Sequence, residues 1–203
     1  MKSYLFTTTP DPHTSAHFGW QSGNSALWGV KEGYKNAADN LVEIALQEGA
    51  NNNIRVLDTY IFPIMYLYRQ SLEVSLKLIY HRCYGKIPPG KHDLIVLWDI
   101  VYKEIVIQHF DNKDFLEQVK QYKNNFICWS TEGIDFHKIR RVFCEIQQVD
   151  KESDVWRYLM DINGDLYFTK DTHVDYNNLK TLINEIFGVL DYLHHVISEY
   201  LSS

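Results

Sequence analysis

Cysteine is scarce: Cys83, Cys128 and Cys144 are the only three in 203 residues. They are odd in number and form no CxxC pair, so the sequence indicates neither a disulfide framework nor a four-cysteine metal site. The expectation is a reducing, cytoplasmic compartment. Basic charge is also short, with 20 Lys+Arg against 26 Asp+Glu and a net charge of −6. The summed field therefore opposes tight binding to long double-stranded DNA or to an anionic membrane. Long apolar runs are missing as well. The most apolar stretch, Tyr60 to Tyr68, contains Pro63 and falls far short of the roughly 20 residues a spanning helix needs. The start, MKSYLFTTTPDP, has no apolar segment of the kind that directs secretion. No GxSxG, HExxH or GxGxxG occurs, so the usual hydrolase, zinc-protease and dinucleotide signatures are absent, and the sequence calls for no cofactor.

What is present suits one domain: 45% of the residues are hydrophobic and 23% charged. Residues 1–33 are rich in Thr, Ser, Gly and His and lack clear periodicity, which reads as an extended arm. Its Phe18, Trp20 and Trp28 imply that it lies against a single helical domain over 34–203. From Tyr34 on, Ala37, Ala38, Leu41, Val42 and Ala45 fall at helical spacing, with Gly49 as the expected stop. Leu57 to Tyr84 is apolar on most sides and ends at Gly85; it should be the central helix, with Pro63 opening or kinking it. His92 to His109 predicts a third helix. Asp111 caps a fourth to about Asn125, and Asp135 and Asp175 cap two more, each with a hydrophobic staple. Around Asn163-Gly164 a small β-hairpin near 156–169 is expected from a type I′ turn. The fold class that follows is all-α, an antiparallel bundle of about six helices.

Several short patterns touch on chemistry. Gly85 to Lys91 has Walker-type spacing, but Pro88 and Pro89 remove amides and His92 replaces the magnesium-binding hydroxyl; what survives is Lys91 beside a helix start as a place for a lone anion. Asp161-Ile-Asn163-Gly-Asp165 departs from a calcium loop at Leu166 and Thr172. His81 and Cys83 are two apart and face different ways on a helix. His194 and His195, being adjacent, cannot both ligate one metal from one helical face, so no metal site is assigned. The most informative feature is the row Arg69, Glu73, Lys77, spaced four apart on the central helix. Either it is a salt-bridged ridge or it lines a cleft or subunit junction, and a buried Arg there must be paired.

Phe62-Pro63, Leu67-Tyr68-Arg69, Leu72-Glu73, Leu76-Lys77, His92-Asp93-Leu94 with Leu97-Trp98, then Asp150, Ser153, Trp156-Arg157-Tyr158 and Asp161 to Gly164 together resemble bacterial HEPN-like helical proteins, over about Asp58 to Leu193. The resemblance implies a helical bundle, a homodimer, and a place in toxin–antitoxin pairs or antiphage defence. Many members cut RNA without metal, using an Arg and a His with four to six residues between them on a late helix. This sequence departs there, because none of Arg55, Arg69, Arg82, Arg140, Arg141 and Arg157 has a His five to seven positions downstream. The expectation is a protein that binds a protein or a nucleotide- or RNA-bearing partner, with Arg69, Glu73, Lys77, His92, Asp93 and Arg157 lining the cleft. The alternative is a metal-independent endoribonuclease, with Arg69 and His92 as the catalytic candidates in a site assembled across a dimer.

Overall fold

The computed structural model describes residues 11–110, 134–151 and 153–201. They are mostly helical: α1 (Gly23–Ala50), α2 (Ile54–Tyr84), α3 (Leu94–Val101), a π-helical turn (Tyr102–Val106), α4 (Ile107–Phe110), α5 (Phe136–Val149), α6 (Val155–Tyr158) and α7 (Tyr176–Tyr200). The helix expected after Asp111 lies outside the described residues. Among those described, no helix is long and apolar enough to cross a membrane.

Helix α1 starts within the stretch read as an arm, eleven residues before Tyr34. Its buried stripe runs Lys31, Lys35, Ala38, Val42, Ala45, which is one helical face; the first two positions are charged, so apolar periodicity begins only at the third. Phe18, Trp20 and Trp28 are each more than half exposed, contrary to the expectation that they pack down. Gly49 is not the left-handed stop. A Cβ there would sit 3.0 Å from Leu57 Cδ2, so its role is close approach to α2, and Asn52 (φ 61) takes the left-handed conformation instead. Asn53 then links the two helices, its Nδ2 donating to Glu48 Oε2 at 2.7 Å.

Helix α2 packs against α1, α3, α6 and α7. Leu72, Leu76 and Ile64 are wholly buried, while Pro63 lies within the helix on an exposed side. Thr59, whose carbonyl the proline deprives of a donor, is exposed too, so water can satisfy it. Gly85 closes the helix at φ 67, as its sequence position predicts. Asp135 and Asp175 cap α5 and α7 by accepting from Lys138 N (2.8 Å) and Asn178 N (2.7 Å). Trp98 gathers Tyr102, Phe136 and Phe143 within 6.1 Å, centroid to centroid, and joins α3 to α5.

The hairpin near 156–169 is not formed. Trp156 and Arg157 belong to α6, and among the described residues the pairing beyond is a single antiparallel bridge between Met160 and Leu166. Asp161 Oδ1 accepts from Asn163 N (2.8 Å) and Asp165 N (3.0 Å), and two backbone bonds flank the bridge, Asp161 N to the Asp165 carbonyl (2.9 Å) and Tyr167 N to the Leu159 carbonyl (3.1 Å), so side chain and backbone shape the turn together. Gly164 has φ 87, whereas Asn163 keeps a negative φ, which rules out type I′.

Ionic contacts the sequence reading missed join α1 to α7. Lys31 pairs with Asp191; Lys35 donates to Asn184 Oδ1 and Asp39 Oδ2, both at 2.6 Å; Tyr68 Oη donates to Asp39 Oδ1 at 2.7 Å. Both ammonium groups lie near the Phe187 ring, 4.8 and 5.3 Å from its centroid. Close by, burial and then the charges of Lys31 and Arg82 push His194 down to about 4 from 6.5. The unfolded chain therefore takes up this proton first on acidification, and stability falls from about pH 6.5 until the folded form also protonates near 4. We expect His194→Met to flatten the loss of thermal midpoint across that window while leaving the pH 8 value nearly unchanged; an unaltered pH profile would contradict this. Separately, Asp175→Ala should cost about 1 kcal/mol in urea unfolding, and Trp98→Ala about 3–5 kcal/mol.

Candidate functional site

Three segments meet at Arg69, which is 1% exposed although it carries a full charge. Helical spacing of four puts Glu73 one turn on, and Arg69 Nη1 donates to Glu73 Oε2 at 2.9 Å. Lys77, another turn along, donates from Nζ to Glu73 Oε1 at 2.6 Å. From the loop before α3, the carbonyl of His92 accepts from Arg69 Nη2 at 2.6 Å. From the turn after α5, Ser153 Oγ accepts from Nη1 at 3.0 Å, and Asp150 Oδ2 lies 3.1 Å from Nε. That last approach is an ion contact without hydrogen-bond alignment, since neither atom has a hydrogen-bond partner. Two cations, Arg69 and Lys77, thus face two carboxylates, Glu73 and Asp150, in a locally neutral group whose Arg69, Glu73 and Asp150 are withdrawn from water while Lys77 is half-buried.

Each partner has a second task. Asp150 Oδ1 accepts from Asp154 N (2.8 Å) and Val155 N (3.0 Å), organising the start of α6. Ser153 sits at φ 63 and also accepts from Gln70 Nε2 at 2.7 Å. Gln147 ties α5 to α3, accepting from Leu94 N (2.9 Å) and donating to the Lys151 carbonyl (2.8 Å). His92 Nδ1 lies 2.9 Å from Glu73 Oε1. An ionised carboxylate only accepts, so that nitrogen carries the proton. The ring itself is 58% exposed, the one outward-facing edge of the cluster.

Burial pushes the Glu73 carboxyl up, but Lys77, His92 and Arg69 together outweigh it and hold it below its ordinary 4.5. The group therefore favours ionisation of Glu73 in the folded state.

The candidate residues of the sequence are brought together only in part. Arg69, Glu73, Lys77 and His92 meet as one cluster, but with Arg69 and Glu73 buried in the protein, Lys77 half-buried and His92 at the surface, and not along an open cleft. The physical reason is the supply of partners from Asp150, Ser153 and the His92 carbonyl, which lets the guanidinium leave water. Asp93 faces its own helix, capping α3 by accepting from Ile95 N (2.9 Å) and Val96 N (3.0 Å). With Leu94 N given to Gln147, the amides that would have held an anion beside Lys91 are occupied; Lys91 is exposed at φ 50. Arg157 is exposed, its guanidinium 5.2 Å from the Tyr158 ring centroid and outside the cluster. His81 Nδ1 lies 2.6 Å from Asn24 Oδ1, and burial lifts the Cys83 thiol to about 11, which makes it a poor nucleophile. Among the described residues, no three His, Cys, Asp or Glu side chains group as metal ligands.

Comparison with protein-family models, curated proteins and solved structures finds no match to this chain.

Glu73→Gln removes one of the two anions that neutralise Arg69 and Lys77, and we expect it to cost about 3 kcal/mol in urea unfolding. Glu145→Gln, on an exposed face of α5, should stay within about 0.5 kcal/mol. Because the Glu73 carboxyl is depressed in the fold, its contribution is present above pH 4.5 and is lost as pH falls through the lower folded value. The Glu73→Gln deficit should accordingly shrink in strongly acid solution, and a deficit that grows on acidification would contradict the assignment.

Proposed function

We propose that the chain is a HEPN-like helical protein that works by binding a partner and not by cutting RNA. The observation that carries this reading is the state of Arg69: buried, and engaged with Glu73, Ser153, Asp150 and the His92 carbonyl. A ribonuclease cation must meet a phosphate in the transition state, and a general base must reach the 2′-oxygen. Here the cation's donors are directed at the protein's own oxygens, and the Nδ1 proton of His92 is directed at Glu73. The exposed His92 ring, Lys91 and Arg157 remain as surface groups that a protein partner can meet. The same reading takes the helices as an antiparallel bundle around α2 and the working unit as a homodimer, in the defence or toxin–antitoxin setting that the resemblance implies.

The test is incubation of the purified protein with single-stranded RNA in EDTA, alongside light scattering. No cleavage above that of a His92→Ala control is expected, with a mass twice the 24.0 kDa of one chain. Cleavage that disappears in His92→Ala while its melting temperature holds would establish the ribonuclease instead. A monomeric mass at every concentration would remove the dimer from the reading.

A further inference from the structure

The turn after α6 presents apolar side chains to water. Ile162, near its tip, is 100% exposed, and Tyr158, Leu166 and Met160 are 62%, 58% and 46% exposed. A single exposed apolar side chain is ordinary, but four within nine residues form a patch of the kind that marks an interaction surface. The patch is also held in place. Backbone bonds lie on either side of the Met160–Leu166 bridge, and Asp161 Oδ1 ties down the amides of Asn163 and Asp165. Leu159 takes φ 57, uncommon for a branched apolar residue, as the chain enters the turn. A surface fixed in advance loses less freedom when a partner binds.

Leu166 carries the patch into a cleft of about 540 Å³. Leu57, Ile61 and Phe62 from the start of α2 form one wall, and Trp156, Leu166 and Phe168 form the other. A small molecule seated there would leave Tyr158, Met160 and Ile162 in water, because none of the three is on the lining. Covering both takes a longer partner. Charge then selects its kind. Residues 154–175 hold five aspartates against Arg157 and Lys170, a net −3 out of the chain's −6. The lining itself adds Asp58, and sets it with Asp171 beside Lys170 and His173. Among the described residues, none of Asp58, Asp161, Asp165 and Asp171 is ion-paired with a basic side chain. Such a field opposes RNA phosphates and anionic headgroups. It complements a polypeptide whose apolar anchors are flanked by Lys or Arg.

We infer that cleft and turn together form a docking surface for a basic protein segment. Its apolar side chains fill the cleft and cover Ile162, while its Lys or Arg side chains meet Asp58, Asp161, Asp165 and Asp171. The inference rests on the binding role proposed above and gives the partner its chemistry. It makes no use of Arg69 or His92.

Two acetylated, amidated heptapeptides make the probe pair: Lys-Leu-Lys-Phe-Lys-Leu-Lys, and the same sequence with Glu in place of each Lys. Each is titrated into the ¹⁵N-labelled full chain at pH 7 and low salt. The basic peptide should bind saturably, with amide shifts centred on Ile162, Leu166 and Phe168, and about tenfold or more tighter than the acidic one. Ile162→Ser and Asp171→Lys, both at exposed positions, should each weaken it about fivefold. Glu145→Lys makes the same change of charge on an exposed face of α5 and should leave affinity within about twofold. Equal losses in Asp171→Lys and Glu145→Lys would reveal diffuse charge attraction and overturn the proposal. So would shifts centred elsewhere, equal or tighter binding of the acidic peptide, or no saturable binding. RNA cleavage in the preceding assay would remove the binding role without moving any of these signals, so the two failures are distinguishable.

Discussion

A guanidinium withdrawn from water and held by oxygens from three segments organises this protein. Desolvating Arg69 is expensive, and its attraction to Glu73 and Asp150 offsets that expense only because the remaining donors reach Ser153 and the His92 carbonyl. Its energetic role is therefore asymmetric. The assembled group adds little net stability over an apolar packing, whereas loss of any member leaves a buried charge under-compensated. Such a device specifies an arrangement: the loop before α3 and the turn after α5 can dock on α2 in one way.

That docking reaches further than the ionic contacts. Asp150 spends one carboxylate oxygen near Arg69 and the other on the amides of Asp154 and Val155, so the position of α6 follows from the position of Arg69. Trp156 is carried on α6 and forms a wall of the apolar cleft. The buried cluster and the cleft are thus two ends of one construction, the first holding the second in shape. The second ionic seam, Lys31 with Asp191 and Lys35 with Asn184, does comparable work between α1 and α7.

The legible parts of the sequence were those governed by local rules. Gly85, Asp135 and Asp175 mark helix ends because the caps they make involve residues only a few positions away. The row at 69, 73 and 77 was visible because i, i+4 spacing is itself a statement about geometry. Its burial was not, since Asp150 and Ser153 are more than eighty positions away from Arg69 and nothing local pairs them. They did stand among the residues that carried the resemblance, and that was the available signal. The start of α1 was hidden for a related reason: Lys31 and Lys35 occupy inward positions by virtue of distant partners, so charge interrupts the apolar stripe. The expected hairpin shrank to one bridge because Trp156 and Arg157 are taken into α6 and the turn at Asn163-Gly164 is not type I′.

The central claim is that Arg69 is committed to the protein and not to a ligand. The most direct measurement is the hydrogen exchange of its side-chain Nε–H and Nη–H groups, resolved by ¹⁵N-edited NMR, with and without inorganic phosphate. Slow exchange with signals indifferent to phosphate is the result this structure requires. Rapid exchange, or signals that move on adding phosphate, would show an accessible cation and contradict the account.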